Sequence, residues 1–225
     1  LEEVKYRNIG PFRGGRSVSS VGVVNDPLTY YMGTAGGGLW KTTNAGSEWF
    51  NISDDYFKTS SVGAIAVSES DSRIIYVGMG EHSPRGVTTS YGDGIYKSTD
   101  AGQTWDHLGL DNTQQISRII IHPDDNNIVY VAAQGAINGP TKERGVYKSI
   151  DGGKTWRNVL FVNELSGASE LSIDINNPKV LYATMWEHQR LPWKVISGGE
   201  GSGVYKSTDG GENWFKIENG LPNEL

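Results

Sequence analysis

The side chains best suited to chemistry are polar and aromatic residues in irregular segments of the chain, at positions that do not recur in its internal repeats. Three of them are candidate acid–base carboxylates: Glu81, Glu143 and Glu187. Charged side chains of this kind bind hydroxyl and carboxylate groups, and aromatic rings stack on sugars or peptides. The predicted ligand-binding residues are Arg13, Arg16, Glu81, His82, Arg85, Tyr91, Arg144, Trp186, Arg190 and Trp193. In the alternative interpretation these side chains tie the loops together, and Glu81 forms a buried pair with Arg85 or Arg144.

Metal and cofactor chemistry has little support in the sequence. No two histidines have the spacing of a zinc site, and the chain has no cysteine. Residues 124–127 (DDNN) carry oxygen ligands that suit Ca²⁺, but such a run is more often a turn between strands. We therefore expect no metal and no cofactor.

A twelve-residue pattern occurs four times, as GLWKTTNAGSEW, GIYKSTDAGQTW, GVYKSIDGGKTW and GVYKSTDGGENW. Its acidic or amide position and its final tryptophan are Asn44, Trp49, Asp100, Trp105, Asp151, Trp156, Asp209 and Trp214. A catalytic site needs few copies, whereas a structural device is repeated. We interpret the Asp and Ser as binding turn amides, the Gly as permitting positive φ, and the Trp as packing on the neighbouring sheet.

Each repeat consists of short β-branched or aromatic segments, and none has the period of an amphipathic helix. An aliphatic run ending in Tyr31, Tyr76, Tyr130 or Tyr182 precedes each pattern. Successive pattern tryptophans are 51 to 58 residues apart, which suits a β-propeller blade of four strands. The sequence therefore predicts an all-β protein with four blades of four antiparallel strands, A to D. The blades cover approximately residues 16–53, 60–110, 115–162 and 168–219.

Up-and-down strands place the C–D turns on one face of the propeller and the B–C loops on the other. Three B–C loops are predicted to be long, at residues 80–93, 134–144 and 186–202. Long loops without repeats on a rigid scaffold commonly carry function. Most of the candidate residues lie in these loops, and Trp186 and Trp193 form a predicted stacking platform in the longest. Arg13 and Arg16 precede the first strand A and are expected on the same face.

The predicted strands do not add up to a closed set of blades. Residues 6–9 (YRNI), in the N-terminal lead-in 1–15, resemble an additional strand D that has no blade of its own. An open arc would leave strand edges and blade faces exposed. We therefore predict that the four blades are part of a larger ring, completed by a longer parent chain or by a second subunit.

The repeated pattern resembles the Asp box, or BNR repeat, of sialidases, sortilin-type receptors and related propellers, over the whole chain. RNIGPFRGGRSVS (7–19), GTAGGGLWKT (33–42), VGMGE (77–81), YGDGIYKS (91–98) and ERGVYKS (143–149) are similar to large secreted bacterial BNR-repeat proteins labelled "glycosyl hydrolase". The resemblance implies a sortilin-like propeller with carbohydrate chemistry. In xyloglucanase-type enzymes a catalytic Asp stands at the position of Ala35, so that role does not carry over. Nothing matches the opening motif of sialidases.

The net charge and the lengths of the apolar runs disfavour two kinds of partner, nucleic acid and the membrane interior. A net charge of −6 and a pI of about 5.2 disfavour a nucleic-acid partner, and no apolar run approaches the length of a membrane span. The chain starts at Leu1 rather than Met, which suggests removal of an upstream segment, and a signal peptide is one possibility. Together with the resemblance to secreted bacterial proteins, this gives the prediction of a secreted, periplasmic or cell-surface location. Our main prediction is a propeller that binds a glycan, peptide or protein on its long-loop face. The alternative is a glycoside hydrolase or lyase, and a glycosidase would need two unrepeated carboxyl groups about 5–9.5 Å apart. A third interpretation is a scaffold without a small ligand.

Overall fold

The computed structural model describes residues 15–82 and 89–221, which form four antiparallel sheets. The first two sheets contain β1 (Ser17–Val23), β2 (Asp26–Thr34), β3 (Leu39–Thr42) and β4 (Phe50–Asn51), then β5 (Val62–Val67), β6 (Ile75–Met79), β7 (Ile95–Ser98) and β8 (Asp106–His107). The third contains β9 (Ile116–Ile121), β10 (Val129–Ala133), β11 (Gly145–Ser149) and β12 (Arg157–Leu160). The fourth contains β13 (Ser166–Ile173), β14 (Leu181–Leu191), β15 (Lys194–Ser197), β16 (Gly203–Ser207) and β17 (Phe215–Lys216). A single 3-10 turn, Asp111–Thr113, is the helical structure found in the described residues.

Strand order in each sheet follows the chain, so each sheet is an up-and-down blade and the predicted all-β fold is confirmed. The innermost strands β1, β5, β9 and β13 line a common channel, with a cavity of about 380 Å³ between them. Three apolar clusters fill the spaces between consecutive blades, one for each of the three neighbouring pairs. In the described residues no such cluster joins the fourth blade to the first. Within residues 15–82 and 89–221 the four blades therefore follow one another as an arc.

The C–D turn of each blade is built by the repeated pattern. In the second blade the Ser98 hydroxyl donates to Asp100 at 2.7 Å, and Asp100 accepts the amides of Gln103 and Thr104 at 3.0 and 2.9 Å. The Thr104 hydroxyl also donates to Asp100, at 2.6 Å. This bond is the largest cause, followed by that from the Thr104 amide, of the lowering of the Asp100 pKa to about 2. Gly102 has a φ of +86°, and an added Cβ would lie 2.8 Å from the Ile52 side chain, so glycine is required there.

The pattern tryptophans of the second and third blades each connect their blade to the one before it, whereas the Trp214 indole donates to the Gly211 carbonyl of its own turn. The Trp105 indole donates to the carbonyl of Ile52 at 3.0 Å, and the Trp156 indole donates to that of Leu108 at 2.9 Å. The Phe57 ring packs edge-on against Trp105 with the ring centroids 5.2 Å apart. Each of these indoles satisfies its N–H group in a packed site between blades.

The fourth blade departs from the predicted pattern in two ways. Residues 186–202 were expected to form an irregular loop, but β14 continues to Leu191 and pairs with β15. The reason is that the strand alternation runs on past Met185 and a two-residue turn then reverses the chain, pairing Leu191 with Lys194. The first strand of this blade begins at Ser166, before the predicted start at 168. The additional strand predicted at residues 6–9 lies outside the described residues.

Candidate functional site

A cavity of about 550 Å³ lies at the B–C end of the blades, away from the C–D turns. Every blade contributes to it because Arg16 precedes β1, His82 follows β6, and Gln134 follows β10. The fourth blade contributes the extended hairpin. The lining residues are Arg16, His82, Gln134, Ser169, Trp186, His188, Arg190 and Val195. Four of the predicted ligand residues, Arg16, His82, Trp186 and Arg190, therefore come together in one cavity.

The wall of the cavity is an aromatic stack on β14. Trp186 and His188 are two residues apart on a strand, so their side chains point to the same face. Their ring centroids are 4.0 Å apart and their planes are 29° apart. The Trp186 indole N–H donates to the Ser197 hydroxyl on β15 at 3.2 Å, which fixes the ring against the second strand of the hairpin.

The hairpin is anchored on the third blade. The backbone amide of Arg190 donates to the carbonyl of Ile137 at 2.7 Å, and the Gln189 side-chain amide donates to that of Asn138 at 3.1 Å. Both acceptors belong to the loop that follows β10. The rings of Trp186 and His188 are consequently positioned by two blades rather than by a free loop.

Both histidines of the cavity are held neutral at neutral pH. Burial, together with the nearby guanidinium groups of Arg144 and Arg190, lowers the pKa of His188. Burial also lowers the pKa of His82, although the Glu170 carboxylate acts in the opposite direction. A neutral imidazole offers one donor and one acceptor, which suits hydroxyl groups.

Several buried polar atoms on the cavity wall have no protein partner. Within the described residues no hydrogen bond reaches Oε1 of Gln134 or Nδ1 of His82. Buried polar atoms are usually satisfied, and those that are not indicate water or ligand contacts. The cavity therefore presents polar groups that a hydroxylated ligand can satisfy.

Arg16 and Glu81 form an ion pair between the first and second blades. The Glu81 side chain is 3% exposed, whereas that of Arg16 is 44% exposed on the cavity wall. Glu81 also accepts the Ser90 amide at 3.3 Å. The partner of Glu81 is therefore Arg16. The sequence had suggested Arg85 or Arg144 for this pair, and Arg144 is not the partner. Arg85 and Arg13 lie outside the described residues.

Arg144 lies beside the cavity but is completely buried. Its guanidinium donates to the carbonyls of Gln134 at 2.7 Å, Gly139 at 3.1 Å and Ala136. Burial lowers the pKa of Arg144 to about 10, so it remains charged at neutral pH. Through these hydrogen bonds Arg144 holds the loop after β10, and therefore Gln134, in place.

The remaining candidates are dispersed. Glu187 accepts the Gly201 amide at 3.1 Å beside the hairpin, and Glu143 accepts the Thr141 hydroxyl. Trp193 is 80% exposed at the hairpin turn and does not line the cavity. Tyr91, 67% exposed, lines a separate open cavity near Trp40.

Two residues of the cavity could not be selected from the sequence. Ser169 lies at a bulge between Ala168 and Glu170, and Val195 lies on β15, so both depend on details of strand pairing. The sequence indicated His188 and Gln134 only weakly, as polar residues of the predicted long B–C loops. Trp186, His188 and Arg190 are spaced two residues apart, and this spacing could have predicted that they lie on one face of a strand.

No group of three or more potential metal ligands occurs in residues 15–82 and 89–221. Residues 124–127 form a turn in which Asp125 accepts the backbone amide of Asn127 at 2.9 Å and Asn126 accepts the Ser68 hydroxyl at 2.6 Å. In the same ranges no helix is long and apolar enough to cross a membrane.

The four blades, their C–D turns and their inter-blade tryptophans define an Asp-box β-propeller. Residues 93–223 match the family model Sortilin-Vps10, described as sortilin, neurotensin receptor 3. The chain belongs to this family. The predicted relationship to Asp-box, sortilin-like propellers labelled glycosyl hydrolase is confirmed.

Similar proteins include several xyloglucanases. The chain is 24% identical over 245 residues to a xyloglucanase of Paenibacillus sp, covering 96% of this chain and 22% of that protein. It is 28% identical over 144 residues to a xyloglucanase of Acetivibrio thermocellus, covering 58% of this chain and 15% of that protein. The chain thus spans less than a quarter of the length of these relatives.

Solved structures show the same fold. An ancestral GH74 enzyme superposes with a TM-score of 0.71 at 20% identity, covering 92% of this chain and 26% of that one. YCF48 from Cyanidioschyzon merolae superposes with a TM-score of 0.52 at 14% identity, covering 93% and 59%. Both neighbours are longer chains, as the prediction of a larger ring requires.

Proposed function

We propose that the chain is part of a carbohydrate-active protein and that the cavity formed by its four blades binds a glucan chain such as xyloglucan. The observation that carries this proposal is the Trp186–His188 stack inside a cavity lined by two arginines and a buried amide. The relationship to xyloglucanases supports the substrate class. A polysaccharide such as xyloglucan does not cross a membrane, so we also propose that the protein acts outside the cytoplasm.

The chemistry of the cavity suits a neutral sugar. The apolar face of a pyranose ring packs on an indole, which buries apolar surface without requiring a charge. Hydroxyl groups around the ring both donate and accept. Gln134 and the neutral rings of His82 and His188 offer the matching atoms, and Arg16 and Arg190 offer donors at the rim.

Hydrolysis of the bound glucan is the second candidate function, supported by the xyloglucanase names of the relatives. It requires two carboxyl groups flanking the sugar. Neither candidate carboxylate lines the cavity: Glu81 is engaged by Arg16, and Glu187 accepts the Gly201 amide beside the hairpin. Ala35 supplies no carboxylate where xyloglucanase-type enzymes have one.

Calorimetric titration of the chain with xyloglucan oligosaccharides tests binding, and release of reducing ends from xyloglucan tests hydrolysis. We expect saturable binding with one site per chain. If reducing ends are also released, E81Q and E187Q separate the two carboxylates. Absence of binding to xyloglucan and cello-oligosaccharides at millimolar concentration would contradict the proposal.

A further inference from the structure

The loop that follows β10 is fixed to its surroundings on both sides of one short segment. On one side, the carbonyl of Ile137 accepts the Arg190 amide at 2.7 Å, which ties the loop to β14. On the other side, the Thr141 amide donates to the carbonyl of Glu164 at 2.9 Å. Residues 138–140 (NGP) span the distance between these two contacts. A change in the length of the main chain within this segment therefore acts on both of them.

Asn138 and Gly139 form an Asn-Gly pair whose side-chain amide and backbone amide are both unengaged in the described residues. The Asn138 side chain is exposed and makes no hydrogen bond there, since the residue contacts Gln189 through its main-chain carbonyl. The Gly139 amide donates no hydrogen bond within the same residues. A Cβ built on Gly139 would meet no atom within 4 Å, so the space beside this glycine is open.

Other asparagines of the connecting loops use the same side-chain atoms for structural hydrogen bonds. Oδ1 of Asn163 accepts the amides of Leu165 and Ser166, both at 2.8 Å. Oδ1 of Asn51 accepts the Ser53 amide at 2.9 Å. Neither asparagine is followed by glycine, so the next residue's Cβ also shields the following amide. Asn138 therefore differs from them in both its freedom and its neighbour.

We propose that Asn138 is a site of spontaneous covalent modification that releases the anchor of the β14 hairpin. The Gly139 amide nitrogen attacks Cγ of Asn138. The new C–N bond forms as the Cγ–Nδ2 bond breaks, and the amide proton leaves with the nitrogen as ammonia, which gives a five-membered succinimide. Water then opens one of the two carbonyl–nitrogen bonds of the ring and leaves either aspartate or isoaspartate at position 138.

Isoaspartate changes the main chain at the point where the hairpin is anchored. The chain then runs through the former side-chain carbons, so it gains one atom between Ile137 and Gly139. The Asn138 carbonyl, which accepts the Gln189 side-chain amide at 3.1 Å, becomes part of a free carboxylate. The lengthened segment no longer matches the spacing of Gln189 and Arg190 along β14.

The consequence falls on the cavity wall, because β14 also carries the stacked rings of Trp186 and His188. Loss of the two contacts with the third blade leaves these rings held by the hairpin alone. The modification is thus a slow, irreversible change in the order of the wall. It does not depend on what the cavity binds, so it is tested separately from the proposed function.

Peptide mapping of the intact chain by mass spectrometry, after incubation between pH 7 and 9, tests the covalent step. We expect aspartate and isoaspartate to accumulate at position 138, and faster at higher pH because the attacking nitrogen must lose its proton. Gly139→Ala should slow the conversion several-fold, since the added methyl group shields the amide and meets no neighbour. The exposed pair Asn219 and Gly220 is the internal standard. An Asn138 that stays intact while Asn219 converts would overturn the proposal.

Hydrogen exchange at the Arg190 amide tests the release of the hairpin. This amide donates to Ile137, so it should exchange faster in the isoaspartyl fraction than in the unmodified chain. Asn138→Gln keeps the amide but would have to close a larger ring, and it should retain slow exchange after the same incubation. Asn138→Asp carries the product's charge without the added main-chain atom and should also retain it. Isoaspartate at 138 with unchanged exchange at Arg190 would overturn the proposal.

Discussion

The Trp186 and His188 rings stack with their centroids 4.0 Å apart on one face of β14, inside a cavity to which all four blades contribute. Neither ring belongs to the repeated pattern that builds the blades. The fold therefore supplies a regular frame, and the departure of the fourth blade from regularity supplies the aromatic wall. This division between repeated and unrepeated residues is the physical basis of the predictions below.

Replacing Trp186 by alanine should weaken saccharide binding without unfolding the chain. Loss of a stacking ring worth about 1 kcal/mol corresponds to an approximately fivefold increase in Kd. Trp193→Ala removes an indole from the turn of the same hairpin, outside the cavity, and should leave the Kd unchanged. Calorimetry with xyloglucan oligosaccharides measures both, and equal effects of the two substitutions would contradict the assignment.

Stability should decrease as the pH falls below about 6.5. Burial lowers the pKa of His82 and His188 from the ordinary value of 6.5, so the unfolded chain takes up protons in a range where the folded chain does not. Unfolding is then favoured down to the lowered pKa values, and above about 6.5 this contribution is constant. Thermal melts between pH 4.5 and 8 measure it.

Substitution of the cavity histidines should flatten that pH dependence. H188Q removes one of the two groups and keeps an uncharged side chain with a donor and an acceptor. H122Q removes a histidine at a turn outside the cavity and serves as the control. If the pH profile of H188Q matches that of the wild type, protonation of His188 does not contribute.

Arg144→Met should destabilise the chain by about 3 kcal/mol, because it leaves buried carbonyls without donors. The affected carbonyls are those of Gln134, Ala136 and Gly139. Arg157→Met is the matched control: its pair with Glu212 is exposed, and its loss should cost less than about 1 kcal/mol. Urea unfolding gives both values, and similar costs would contradict the structural role of Arg144.

Asp100→Asn should be tolerated better than Asp100→Ala. Asn44 already occupies this position in the first blade, where its Oδ1 accepts the Thr42 hydroxyl and the Glu48 amide, both at 2.9 Å. Asparagine therefore preserves the turn bonds that alanine removes. Melting temperatures of the two variants should rank wild type, Asn and then Ala, and the reverse order of the two variants would be inconsistent with this turn geometry.

The repeats made the blades predictable because each one carries its own Trp, Tyr and turn residues. The hairpin of the fourth blade was less accessible: the polar residues Glu187 to Arg190 indicated a loop, whereas backbone pairing with β15 sustains a strand. The partner of Glu81 was unpredictable for a similar reason. Arg16 is distant in sequence, and only the packing of the first blade on the second brings the two together.

A crystal structure of the chain with a bound xyloglucan oligosaccharide tests the central claim most directly. The proposal predicts a pyranose ring stacked on the Trp186 indole, with its hydroxyls contacting Gln134, His188 or Arg190. An ordered oligosaccharide bound elsewhere on the propeller, with this cavity filled only by water at saturating ligand, would contradict it.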